Sequence, residues 1–147
     1  MQDTTAPHAF SSAEYVRDIA LQVMQMSEAI HQALRQLTSM PSADQTTASP
    51  YALLTEEYAL RARANMLLIE AARLARADFP VSQGAVLKVL KRVEAKLLQS
   101  ASLEQLSDIV VALLLFTSSI FSRRNQVIAT LLGNLEDTIA VTALETA

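Results

Sequence analysis

Residues 109–122 read IVVALLLFTSSIFS, fourteen residues without a charge, set between Asp108 and the pair Arg123 and Arg124. A bilayer span needs about 18 or more apolar residues, whereas a run of about 10–14 belongs to a buried core helix. The stretch therefore reads as a core helix over 103–121. It is apolar nearly all round, the pattern of a helix enclosed by others. Ser102 and Gln105 open it with capping-box spacing.

On the C-terminal side, Ile128, Leu131, Leu132, Leu135 and Ile139 recur on one face of a helix over 124–144. One straight helix from 103 to 144 would be about 60 Å long at 1.5 Å per residue. That is too long for a compact chain of this size. A break is expected near Ser122–Asn125, with Gly133-Asn134 as second choice. On the N-terminal side, Ser82 caps a helix over 83–99 with Val86, Leu87, Leu90, Val93 and Leu97 as its core face. Before it, Asp78-Phe79-Pro80 ends a helix over 50–77, because the residue preceding proline disfavours the α region.

Pro50 after Ser49 suits the first position of that 50–77 helix. Its main stripe is Leu53, Leu60, Ala64, Leu67, Ala71, Leu74 and Ala75. Tyr58, Met66 and Ile69 lie off the stripe among Arg61, Arg73 and Arg76, so the helix is apolar on two sides. The segment SMPSADQTTASP, residues 39–50, reads as a linker. It is long enough to be a hinge for exchanging the first helix between protomers. That first helix spans 12–38 and starts from a capping box at Ser11 and Glu14. Val16, Ile19, Val23, Met26, Ile30, Ala33, Leu34 and Leu37 form its buried face, opposite Asp18, Gln22, Gln25, Glu28, Gln32 and Gln36. Residues 1–11 read as a flexible N-terminal tail.

The fold class is therefore all-α: a single helical-bundle domain over 12–147 with about five helices and the 103–121 helix central. Composition agrees. With 51% hydrophobic and 18% charged residues the chain is not of the disordered class. Without cysteine there is no disulfide scaffold and no cysteine-ligated zinc. Two glycines supply neither a phosphate-binding loop nor the turns of an all-β fold. The first twelve residues carry no Lys, Arg or apolar run, so they do not read as a secretory signal. A cytoplasmic protein without a transmembrane span is expected, with signal-peptide-independent export left open. The lack of cysteine fits a bacterial source.

The net charge of −3 hides a pattern. Residues 51–100 carry eight basic against five acidic groups, whereas each flank carries two basic against five acidic. The sharpest part of this block is Lys88, Arg92 and Lys96 at i, i+4, i+8, with Lys91 alongside. Like charges at that spacing repel by about 0.2–0.5 kcal/mol per pair. The row reads either as a patch for an acidic partner or phosphate, or as a solvated helix face. The acidic isoelectric point and the absence of interleaved aromatic residues weigh against nucleic acid.

His31 is the lone histidine inside an expected helix. An exposed imidazole on a bundle is a nucleophile for phosphotransfer. The run His31-Gln32-Ala33-Leu34-Arg35 resembles the phosphoacceptor box of histidine-kinase dimerisation domains, but departs from it at two places. Gln32 stands where that box has an acidic residue, and its proline is missing. The alternative is a histidine at the edge of the core. Glu28 and His31 have the E-x-x-H spacing of di-iron bundles, but no second such pair exists, so no metal site is expected. The acidic pair Glu56-Glu57 reads as charge favouring the start of its helix. No catalytic set is assembled from these residues, and no cofactor or small-molecule substrate is implied.

The surplus of apolar helix surface carries the functional expectation. It points to a non-enzymatic protein-binding or assembly module, homo-oligomeric in its simplest form. The contact residues are Tyr58, Met66 and Ile69, with Lys88, Lys91, Arg92 and Lys96 steering an acidic partner. The alternatives are phosphotransfer through His31 and a regulator that contacts nucleic acid through the basic row.

Overall fold

A computed structural model describes residues 6–39 and 49–146, the last five of these as backbone alone. Among the described residues the chain is an all-α bundle of six helices. They are α1 (Ala13–Thr38), α2 (Pro50–Ile69), α3 (Ala71–Leu74), α4 (Gln83–Leu98), α5 (Leu103–Ile120) and α6 (Asn125–Thr146). Residues 1–5 of the expected tail and 40–48 of the expected linker lie outside the described residues.

The helix starts follow local chemistry. Ser12, Ser49, Ser82 and Ser102 each accept a hydrogen bond from the backbone N–H three residues on, satisfying a donor that the helix leaves orphaned. The cap of α1 is thus Ser12 rather than Ser11. Its side chain accepts from Tyr15 N at 3.1 Å. Gln105 Oε1 returns a bond to the Ala101 N–H at 3.0 Å, one residue before the cap.

The centre of the bundle is α1, not the 103–121 helix. It packs against α2, α3, α4 and α5. Its buried face includes Ala20, Ser27, Ala29 and Ala33, and small side chains at the contacts let neighbouring helices approach. Gln22, on the side expected to be polar, is also buried and donates to Glu94 Oε1 on α4 at 2.7 Å. The more hydropathic α5 buries Ile109, Val110, Leu113 and Phe116 but turns Val111 and Leu115 outward. By length and composition α5 is the one described helix able to cross a membrane, with a mean hydropathy of 1.5 over 18 residues. In this fold 44% of that window is buried against the other helices.

Residues 6–11 are packed rather than loose. Ala9 and Phe10 are fully buried, and the Phe10 ring meets Phe79 edge-on at 5.0 Å. The segment runs antiparallel to residues 80–83. Ala9 N donates to Val81 O and Gln83 N to Pro7 O, both at 2.9 Å. Gln83, itself buried, accepts from Phe10 N at 3.2 Å and donates to Tyr15 O at 2.9 Å. The polar composition of this stretch concealed two apolar anchors that find their partners only across the fold.

The same segment explains why the expected 50–77 helix is shorter. A turn at Glu70 separates α2 from α3, and helical geometry ends at Leu74. Ala75 is extended, and Arg76 N donates to Phe10 O at 2.7 Å instead of continuing the helical ladder. The break between α5 and α6 falls at residues 121–124, where Arg123 adopts a left-handed conformation (φ 61°). Gly133 sits inside a continuous α6.

Candidate functional site

α1 and α2 form the most extensive pairing among the described helices, and the pairs His31–Glu57 and Glu28–Arg61 show that they run antiparallel. The α2 seam is Leu53, Glu57, Leu60, Ala64 and Leu67, all buried. Glu57 therefore occupies a core position in a stripe of alternating four- and three-residue steps. Its side chain is only 2% exposed. A carboxylate removed from water must be paired and hydrogen-bonded to be tolerated. Glu57 Oε1 lies 3.0 Å from Nδ1 of His31 on α1, and Glu57 Oε2 accepts from Arg61 Nη2 at 2.9 Å. Arg61 also approaches Glu28 Oε2 at 3.7 Å. The hydrogen bond to Glu57 holds the Arg61 guanidinium above its usual range against partial desolvation, and the charges of Glu57 and Glu28 add to this.

The arrangement sets the chemistry of His31. With Glu57 as a carboxylate, which only accepts, the proton of the His31–Glu57 bond sits on Nδ1. The ring is thereby oriented, and Nε2 is left for other contacts. The His31 side chain is 41% exposed. It forms one wall of a recess of about 240 Å³ between the end of α1 and the start of α2, with Leu34, Arg35, Pro50, Tyr51 and Leu54 among the lining.

A second concave region lies between α5 and α6. It holds about 500 Å³ and is walled by Val111, Ala112, Leu115, Leu131 and Val141, with Asp108 and Asp137 at its rim. Val111, Leu115 and Val141 are all exposed.

Tyr58, Met66 and Ile69 are exposed on α2, away from the Glu57 seam. Lys88, Lys91 and Arg92 are exposed on α4, and Lys96 is half-buried. Arg92 lies 3.7 Å from Glu136 on α6, so it is engaged within the fold. Lys88, Lys91 and Arg92 line a shallow surface hollow together with Gly84 and Leu87. The Glu28 and His31 pair converges on Glu57 and Arg61 rather than on a ligand set. Among the described residues there is no group of three or more His, Cys, Asp or Glu placed to hold a metal ion.

Glu57 corrects the expectation of helix-start charge for the Glu56-Glu57 pair: its spacing from Leu53 and Leu60 places it in the seam. Burial does push the Glu56 carboxyl up from the usual range, but Glu56 makes no part of the His31 cluster. The α5–α6 groove was hidden by reading α5 as fully enclosed. No protein-family model, curated protein or solved structure matches this chain.

Proposed function

We propose that the chain is an assembly module whose partner is a second copy of itself, held through exposed apolar helix faces. The observation that carries this reading is the groove between α5 and α6, where Val111, Leu115 and Val141 stand in solvent. Covering these three side chains with a second copy gains about 25 cal/mol per Å² of apolar area removed from water. Charge supports a second copy as occupant. The groove rim is acidic at Asp108 and Asp137, while the outward face of α4 carries Lys88 and Lys91. Tyr58, Met66 and Ile69 on α2 add a second exposed apolar stripe.

Light scattering on the purified chain at tens of micromolar tests this directly. The expected mass exceeds that of one chain, and Val111→Asp with Leu115→Asp returns it to one chain without loss of helical signal. A strict monomer across that range overturns the proposal.

A further inference from the structure

We propose that His31 is a phosphoryl-acceptor site, with Nε2 as the nucleophile and a small acyl phosphate as the donor. The inference is independent of self-association. It rests on the His31–Glu57 pair and on what surrounds the recess that His31 walls.

Four observations converge. Glu57, buried to 2% exposure, is held by Arg61 on one oxygen and faces His31 Nδ1 at 3.0 Å with the other. With Glu57 as a carboxylate and the imidazole neutral, the proton sits on Nδ1 and the Nε2 lone pair is the reactive position. His31 is 41% exposed, so a donor can reach it. Arg35, one turn further along α1, lines the same recess and supplies a cation for phosphoryl oxygens. Pro50 and Tyr51 place the first turn of α2 there as well, where the helix dipole favours an anion. Arg61 offsets the negative charge of Glu57, which reduces its repulsion of an approaching phosphate.

The step balances. The Nε2 lone pair attacks phosphorus and forms the N–P bond. The bond from phosphorus to the acyl oxygen breaks, and its electron pair departs with the carboxylate product. The proton stays on Nδ1, so the ring becomes an N-phosphoimidazolium whose positive charge is opposed by Glu57. No proton has to leave the site during transfer. Glu57 acts as a positioning residue, through the imidazole.

The test is incubation of the full chain with acetyl phosphate, followed by intact-mass and peptide mass spectrometry. The expected result is a gain of one phosphoryl group on His31, stable in alkali and lost in acid. His31→Gln abolishes it. Glu57→Gln keeps an acceptor for Nδ1 but removes the opposing charge, and slows labelling by about tenfold or more, as removal of a histidine's orienting partner does elsewhere. Arg35→Gln, at an exposed position, slows labelling while the fold is retained. Nitrogen NMR of the unmodified protein provides a readout that needs no variant, with His31 expected as the Nδ1–H tautomer. No mass gain, a gain that survives in His31→Gln, or an Nε2–H tautomer overturns the proposal.

Discussion

Arg76 Nη2 donates to the carbonyl oxygen of Ile120 at 3.0 Å, closing the C-terminal end of α5 with a side chain from the α3–α4 connection. Helix ends leave carbonyls without intrahelical donors; this one accepts from Arg123 N in the following turn at 3.3 Å and from Arg76, 44 residues away in sequence. The same guanidinium reaches Asn125 Oδ1 at 3.2 Å and lies 5.4 Å from the centre of the Phe10 ring. Asn125 in turn donates to Asp78 Oδ1 at 3.1 Å. Burial and the nearby Arg123 push the Arg76 guanidinium below its usual range, against the pull of Asp78. One side chain thus joins the N-terminal segment, the α3–α4 connection and the α5–α6 corner. Arg76→Ala removes these bonds together and is expected to lower stability by about 1.5–3 kcal/mol, the range for a charged hydrogen-bonding group. Urea titration followed by circular dichroism measures it.

Phe10 lies in the stretch whose composition suggests a tail, yet it is fully buried against Phe79. Phe10→Ala is expected to cost about 3–5 kcal/mol, the range for a large core aromatic. A substitution in a loose tail would leave the unfolding midpoint unchanged, so thermal melts separate the two cases.

Glu57 fills a core position, and the partners it holds both reach water. Removing the carboxylate therefore leaves no fully buried orphan charge. Glu57→Leu is expected to extend the apolar seam from Leu53 to Leu60 and to cost less than the ~3–5 kcal/mol of breaking a fully buried pair, because the His31 and Arg61 side chains left behind reach water. Glu57→Ala leaves a cavity and is expected to be clearly less stable than Glu57→Leu. Chemical denaturation of the two variants side by side checks the order.

Glu56 provides a pH-dependent case. Its carboxyl is raised by burial, so the native state binds the proton more tightly than the unfolded chain. Its ionisation lowers stability as pH rises from the unfolded value of about 4.3 through the raised folded one. Glu56→Gln is accordingly expected to raise the thermal midpoint at neutral pH. The gain should disappear below about pH 4, where the wild-type carboxyl is protonated in both states. Melts across that pH range read both the sign and its loss.

Leu115 is exposed in the α5–α6 groove. As a surface position, Leu115→Asp is expected to alter the stability of one chain by within about 0.5 kcal/mol. Its effect should appear instead in association, as a lower mass by light scattering at equal concentration.

The helical architecture was legible because it is written in local pattern. The stripe from Val16 to Leu37 recurs with the helical period and is buried as read, Pro50 opens α2, and Ser82 and Ser102 cap α4 and α5 as expected. That 103–144 must be interrupted followed from its length, and the break falls at residues 121–124, beside the expected Ser122–Asn125. The candidate sites were legible only in part. His31 stood out as a lone helical histidine, but its chemistry depends on Glu57, 26 residues away on another helix. Tyr58, Met66 and Ile69 were correctly separated from the buried stripe, since a helix of known phase assigns each residue an angle. That angle does not say whether a neighbour covers it.

The division between the two levels is physical. Periodicity, caps and the length of the apolar run acted within a few residues, and by themselves they determined that this chain is an all-α bundle and where most of its helices begin. Which helix lies at the centre, that Phe10 closes the far end of the core, and that a buried carboxylate meets His31 were decided only in the tertiary structure. Those outcomes depend on which surfaces meet across long sequence separations, through side-chain size at the contacts and the pairing of buried polar groups. The small residues of α1 let it take the centre that the hydropathy of α5 suggested for α5, leaving Val111 and Leu115 at the surface.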